Sequence, residues 1–177
     1  SGVTVCQVGE GADELFWGYP SWKTLLKLEQ YNRIPFMNPF KKSGLTFGKI
    51  FGKECSKKYE MLRRGSLHQP IFWGGAEAFF EMEKKALLSP RLREKFKNTT
   101  SWEAIRPIYN RFREKAWEQK PLSWMSYLDL SLRLPELLLM RVDKMSMGVS
   151  LEGRVPFLDH KFVELAMSIP QKIKTKN

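Results

Sequence analysis

Cysteine and histidine are scarce, with two of each in 177 residues. Cys6 and Cys55 share no metal-binding or dithiol spacing, which excludes a cysteine-built zinc module and a disulfide framework. Cys6 lies in an apolar run and reads as a small core residue, and such sparing use of thiols fits a reducing cytosol. No apolar run approaches the roughly 18 residues that a membrane span needs. Acidic residues are the minority, 19 against 30 Lys plus Arg, for a formal charge of +11. A surplus of that size suits polyanions, phosphates or an acidic partner. The cations, however, are scattered in short doublets such as Lys41-Lys42, Lys57-Lys58 and Lys84-Lys85. That scatter favours a solvated surface over a binding groove. No nucleic-acid motif accompanies it, and the aromatics stand at core-like positions, which counts against a basic nucleic-acid module.

What is present is a globular composition: 42% hydrophobic and 13% aromatic residues, enough to bury a core. Val3 to Val8 reads as a short buried strand, followed by a glycine bend at residues 9–11 and one helical turn, 13–17, that Gly18 ends. Apolar spacing predicts a helix from Ser21 to Tyr31, stopped by Pro35. The stretch 38–54, with its turn formers, reads as irregular, with room for a short helix. Helices are expected over 54–63 (ending at Gly65), 77–88, 91–97, 101–115 (broken or kinked at Pro107), 122–132 (stopped by Pro135), 136–147 and 159–168, with 65–75 and 151–159 as loops. One strand followed by many helices is unbalanced for a whole domain. It suits the end of an α/β sheet with a helical continuation. The chain starts on Ser-Gly without Met and stops at "QKIKTKN", so it is expected to be a piece of a longer protein.

Two stretches carry chemistry. In "VTVCQVGEGADELFWGY" (3–19), Glu10, Asp13 and Glu14 follow a strand on a glycine-rich bend. A loop at the carboxyl end of a strand faces the ligand crevice of an α/β sheet. Glycines there let backbone approach a ligand. Carboxylates there can hold Mg²⁺, which completes its shell with phosphate and water, or take a proton from an amine nucleophile. The same acids also suit a plain helix start, Asp13 as cap and Glu14 beside the N-terminal dipole. In the second stretch, residues 134–170, Arg141, Asp143 and Lys144 interrupt a wide apolar helix face. They suit a phosphate or anionic substrate, or a solvated Asp-Lys pair. Glu152 with Arg154 reads as a structural ion pair, and Asp159 as the cap of the last helix.

Together "GEGADELFWGY" (9–19), "SYLDLSLRLPELLL" (126–139) and "RVDKMSMGVSLEGRVPFLDHKFVELAMSIP" (141–170) resemble the asparagine synthetase family of glutamine-dependent amidotransferases. The order and separation of the three add to the resemblance; residues 45–120 resemble the family only as variable helical sequence. The resemblance implies a fold that is mainly α with a short N-terminal β remnant, a fragment of an α/β nucleotide-binding, ATP pyrophosphatase-like synthetase domain. Residues 1–19 would be its strand and acidic loop and 20–177 its helical part. It implies adenylation of a carboxylate, typically that of aspartate, by ATP, then attack by glutamine-derived ammonia. On that basis Asp13 is expected to bind Mg²⁺ at the pyrophosphate, and Glu10 to sit by the acyl-adenylate and assist ammonia. Gly9 and Gly11 are expected to let the loop approach, and Arg141 and Lys144 to lie at or near the cleft. The partners implied are small molecules, a glutaminase domain and the rest of the synthetase domain, with no membrane among them.

The departures are specific. Val8 stands where the family usually has Ser, and Trp17 where it has Gly, which leaves open a relative that forms another amide or a lactam, or a non-catalytic scaffold. No Ser-Gly-Gly-x-Asp-Ser loop, the family's pyrophosphate cradle, occurs in the chain, so the isolated chain is expected to be inactive.

Overall fold

The computed structural model describes residues 2–175. Its backbone is mainly helical, in the order β1 (Val5–Gln7), α1 (Ala12–Phe16), α2 (Pro20–Asn32), α3 (Asn38–Ile50), α4 (Lys57–Ser66), α5 (Glu81–Leu87), α6 (Pro90–Lys95), α7 (Trp102–Lys115), α8 (Pro121–Leu128), a π-helical segment (Asp129–Leu139), α9 (Met140–Met147), β2 (Glu152–Arg154), a 3-10 turn (Pro156–Leu158), α10 (His160–Ser168) and α11 (Gln171–Lys174). The chain divides into two compact units, residues 1–23 with 108–177, and residues 24–107. No helix is long and apolar enough to cross a membrane among the described residues.

The first unit is organised by a two-stranded parallel sheet, with Val5, Cys6 and Gln7 opposite Glu152, Gly153 and Arg154. The strand at 152–154 lies where the sequence suggested only loop. Three residues of "EGR" carry no apolar alternation, and only pairing with β1 makes them a strand. β1 is also shorter and more open than expected. Val3 and Val5 are exposed and Cys6 is only half-buried, because among the described residues β1 is paired on one edge only. The core of this unit gathers on α8 and the segment after it: Leu122, Trp124, Met125, Leu128, Leu134 and Leu138 are buried with Leu15, Phe112 and Ala166. Trp124 meets Tyr109 edge-on at 5.0 Å and Phe112 at 5.5 Å.

Pro135 does not stop its helix. Residues 121–147 run as one helical rod whose middle, Asp129–Leu139, is wound as a π-helix with Pro135 inside it. Proline is excluded from an α-helix by its missing N–H and by its clash with the carbonyl four residues back. A wider turn moves that carbonyl, so the rod continues through the proline. Asp159 caps α10 as the sequence suggested, its Oδ1 accepting from the backbone N–H of Lys161 (3.0 Å) and of Phe162 (3.2 Å).

A charged network joins this rod to the acidic loop. Glu14 is 1% exposed and Asp129 fully buried. The Tyr19 hydroxyl donates to Glu14 Oε1 at 2.6 Å. The Arg133 guanidinium donates to Asp129 Oδ2 at 3.2 Å, lies 3.8 Å from Glu14 Oε1, and stacks 4.6 Å above the Tyr19 ring. Burial first, then the Glu14 carboxylate, pushes the Tyr19 phenol well above its ordinary value.

In the second unit, α3 is a full helix of 13 residues where the sequence suggested irregular chain with at most a short helix over 38–54. Its glycines are contact points. A Cβ on Gly48 would fall 2.8 Å from Tyr59 Cδ2, and one on Gly44 3.5 Å from Leu62, so α4 packs closely along α3. Gly65, expected to end α4, lies inside it for the same reason. A Cβ there would fall 2.3 Å from Asn32 Oδ1, whose partner is Lys41 Nζ at 2.6 Å. Glu60 and Arg64 are both buried. Arg64 Nε donates to Glu60 Oε1 at 2.9 Å and Nη1 to the Ile71 carbonyl at 2.8 Å, with the guanidinium 3.9 Å above the Trp73 ring and paired with Glu77. Burial alone would raise the Glu60 carboxyl, but Arg63 and Arg64 outweigh it and hold it below its ordinary value.

Removing one partner of a buried ion network strands the other charges. Arg133→Leu and Arg64→Met are each expected to cost about 3 kcal/mol, read as a lowered urea midpoint with unchanged slope. The depressed Glu60 carboxyl adds stability that is present above the unfolded carboxylate value of about 4.3 and is lost as pH falls. The raised Tyr19 phenol acts at the other end: its contribution is held below about pH 10 and lost as pH rises. Tyr19→Phe is expected to flatten the alkaline limb of a stability-against-pH curve and leave the acid limb unchanged.

Candidate functional site

The acidic loop begins where β1 ends. Val8 continues the ladder by donating to the Arg154 carbonyl at 2.8 Å. The strands run parallel, so the 9–11 bend and the turn after Arg154 leave the sheet on the same side. Gly11 is buried at φ 94°, and a Cβ on it would fall 2.4 Å from Leu158 Cδ2. Only glycine fits that position, and what fills the space beside it is the chain's own leucine. Gly9 differs: it is exposed, and nothing lies within 4 Å of where its Cβ would stand.

Glu10 is half-buried and Asp13 exposed, and neither side chain has a hydrogen-bond or ion-pair partner among the described residues. Asp13 does not cap α1; Gly11 does, without a side-chain bond. The Asp13 carboxylate instead lies over Gly18, where a Cβ would fall 1.9 Å from Oδ1. Gly18 is therefore needed for this approach, and the left-handed residue that closes α1 is Trp17, at φ 62°. The Trp17 indole N–H donates to Ser126 Oγ at 2.8 Å, and Ser126 Oγ donates to the Glu14 carbonyl at 2.6 Å. Trp17 thus ties the acidic turn to α8. The Lys174 ammonium, 5.0 Å above the Trp17 ring, donates to the Leu15 carbonyl at 3.1 Å.

Arg141 and Lys144 lie on α9, which packs on the sheet. A Cβ on Gly153 would fall 3.3 Å from Val142 Cγ1 and 3.5 Å from Val8 Cγ2. Both stretches singled out in the sequence therefore converge on one small sheet, in one unit. Arg141, Asp143 and Lys144 are all exposed, and neither Arg141 nor Lys144 is paired with Asp143, Glu10 or Asp13 among the described residues. The Glu152–Arg154 pair is made, at 2.8 Å, between two solvent-exposed side chains. The three described cavities are lined by other residues. No group of three or more His, Cys, Asp or Glu able to hold a metal occurs among the described residues.

The residues that sequence reasoning passed over are Tyr19, Asp129 and Arg133, together with the buried role of Glu14. The spacing of Asp129 and Arg133, four apart, was the available signal. Nothing in sequence pointed from that pair to Glu14, 115 positions upstream of Asp129.

Comparison with known proteins agrees with the three resembling stretches. The family model described as asparagine synthase matches residues 1–177. The chain is 35% identical over 176 residues to asparagine synthetase (glutamine-hydrolyzing) 1 of Bacillus subtilis strain 168, covering 99% of this chain and 26% of that protein. It is 32% identical over 175 residues to a putative asparagine synthetase (glutamine-hydrolyzing) of Mycobacterium tuberculosis strain H37Rv, covering 97% and 25%. A 37-residue stretch is 60% identical to asparagine synthetase (glutamine-hydrolyzing) 3 of Bacillus subtilis. No solved structure matches the chain. The chain spans about a quarter of the length of the first of these relatives, and it belongs to the asparagine synthase family.

Proposed function

We propose that this chain is the C-terminal portion of the synthetase domain of an ATP-dependent, glutamine-hydrolysing asparagine synthetase, built on an ATP pyrophosphatase-like sheet. The longer protein would adenylate the side-chain carboxylate of aspartate and pass ammonia from glutamine to it. The observation that carries the reading is the state of the acidic loop: an exposed Gly9 with open space at its Cβ position, followed by Glu10 and Asp13, whose carboxylates have no partner among the described residues.

A single unengaged carboxylate fits Mg²⁺ that draws most of its shell from phosphate and water. Asp13 would hold it, and the ion would neutralise charge on the departing pyrophosphate. Gly9 leaves room for the adenylate beside the backbone. Glu10 would accept a proton from the ammonia nucleophile. Arg141 and Lys144, exposed and without an ion-pair partner among the described residues, would supply positive charge from α9. They act as electrostatic stabilisers of the phosphates, not as acid or base. Gly11 has a different duty, since its space is taken by Leu158. The Ser126 bond to Trp17 supports reading the Trp17 departure as an anchor for the turn, with the aspartate acceptor kept.

In the longer protein, Asp13→Asn is expected to lower aspartate-dependent ATP–pyrophosphate exchange by about 10² or more, with the circular dichroism spectrum unchanged. Glu10→Gln is expected to lower asparagine formation by about 10²–10⁴ while exchange falls less. Wild-type rates in both variants would sink the proposal. The isolated 177-residue chain is expected to form no asparagine and to bind ATP more weakly than micromolar, as calorimetry would read.

A further inference from the structure

The second unit holds a cavity of about 600 Å³ between α5, α6 and the entry to α7. That is the size of a small-ligand site. Its walls are tied to one another by the chain itself. The buried Glu81 carboxylate accepts, at Oε1, from Lys84 Nζ at 2.6 Å and from the Ser101 N–H at 3.0 Å, and Lys84 also donates to the Ser101 hydroxyl. These bonds join α5 to the entry of α7. Arg93 Nε, on α6, donates to the Leu88 carbonyl at 2.9 Å and joins α6 to the end of α5. A cavity held in this way has little freedom left to lose when it is filled.

The charge lining this cavity is unbalanced. Four cations, Lys84, Lys85, Arg93 and Lys97, stand against one acid, Glu81. Lys84 is matched by Glu81, and Lys97 by Glu94 at 2.5 Å, an acid outside the lining. Glu83 and Glu103, the remaining acids of residues 81–103, do not line it either; each accepts a backbone N–H, from Phe80 at 2.7 Å and from Thr100 at 3.0 Å. Lys85 and the Nη groups of Arg93 have no partner among the described residues, and neither do the hydroxyls of Thr99 and Thr100. The backbone amides of Thr100 and Ser101 are already taken, by Glu103 and Glu81, so whatever this cavity binds meets side chains and not a helix N-terminus. The apolar part of the lining is Leu88 and Phe96, the latter 43% exposed.

We propose that this cavity binds a small phosphate monoester with an apolar body, its phosphate held by Lys85, the Arg93 guanidinium and the Thr99 and Thr100 hydroxyls, and its body against Leu88 and Phe96. A guanidinium fixed through Nε still offers its Nη donors to phosphate oxygens. A phosphate monoester near neutral pH carries close to two negative charges, which match the two cations that the chain leaves without a partner. A neutral ligand would leave both in place. The cavity lies wholly in the second unit, and the proposal does not rest on the reaction proposed above.

Phenyl phosphate, titrated into the isotope-labelled chain and followed by amide chemical shifts, tests it. Saturable shifts centred on residues 81–103 are expected, with a Kd of about 1 mM. Inorganic phosphate is expected to bind the same residues roughly fivefold more weakly, and phenol not to saturate. Lys85→Glu, which breaks no hydrogen bond or ion pair of the chain, is expected to weaken phenyl phosphate about tenfold or more, and Arg93→Gln to do the same. Lys161→Glu, the same charge change on exposed α10 of the first unit, is expected to leave the affinity unchanged. Phe96→Ser is expected to erase the preference for phenyl phosphate over inorganic phosphate. No saturation up to about twenty times the expected Kd, shifts centred elsewhere, phenol binding as well as phenyl phosphate, or equal weakening by Lys85→Glu and Lys161→Glu would each overturn the proposal.

Discussion

The first unit depends on one cation. Arg133 reaches across to Glu14 on the acidic turn, holds Asp129 one turn back on its own helix, and lies against the ring of Tyr19. Glu14 is buried, so its charge needs this partner and the Tyr19 hydroxyl to remain inside. The consequence is geometric. The turn that carries Glu10 and Asp13 is fastened beneath, at Glu14 and Leu15, while its upper surface stays open. Trp17 adds a second fastening through Ser126, and Lys174 a third at the Leu15 carbonyl. A loop anchored on its lower side holds two carboxylates without a partner among the described residues on backbone that keeps little conformational freedom.

Glycine sets the rest of the architecture, and it does so by distance more than by flexibility. Gly18 admits the Asp13 carboxylate, Gly48 admits Tyr59, and Gly65 admits the Asn32–Lys41 pair. In α3 and α4 this outweighs the cost of about 1 kcal/mol that glycine brings to a helix interior. The close approach is gained by packing small residues inward. It is also why the phenylalanines of α3 have no place against α4.

Several features were legible without coordinates. The acidic bend, the capping role of Asp159, the Glu152–Arg154 pair and most helices could be read from residue type and spacing, because each depends on contacts a few positions apart. The strand at Glu152–Arg154 could not, since a three-residue strand exists only through its partner, and β1 lies about 147 positions away. Gly44, Gly48, Gly65 and Pro135 were read as breakers, as local propensity dictates. Each stands inside a helical element, because packing or a widened turn removed the local penalty.

Sequence by itself determined the family and the chemistry on offer: three ordered stretches, two carboxylates on a glycine bend, two cations on a late helix. Those are properties of residue identity and order, and they survive whatever the fold does. Tertiary structure alone decided that Glu14 is buried while Asp13 is exposed, that Gly11 serves Leu158 while Gly9 faces open space, and that α3 shows its aromatic side to solvent. Each of these turns on side chains distant in the chain meeting within a few ångströms, which no local pattern encodes.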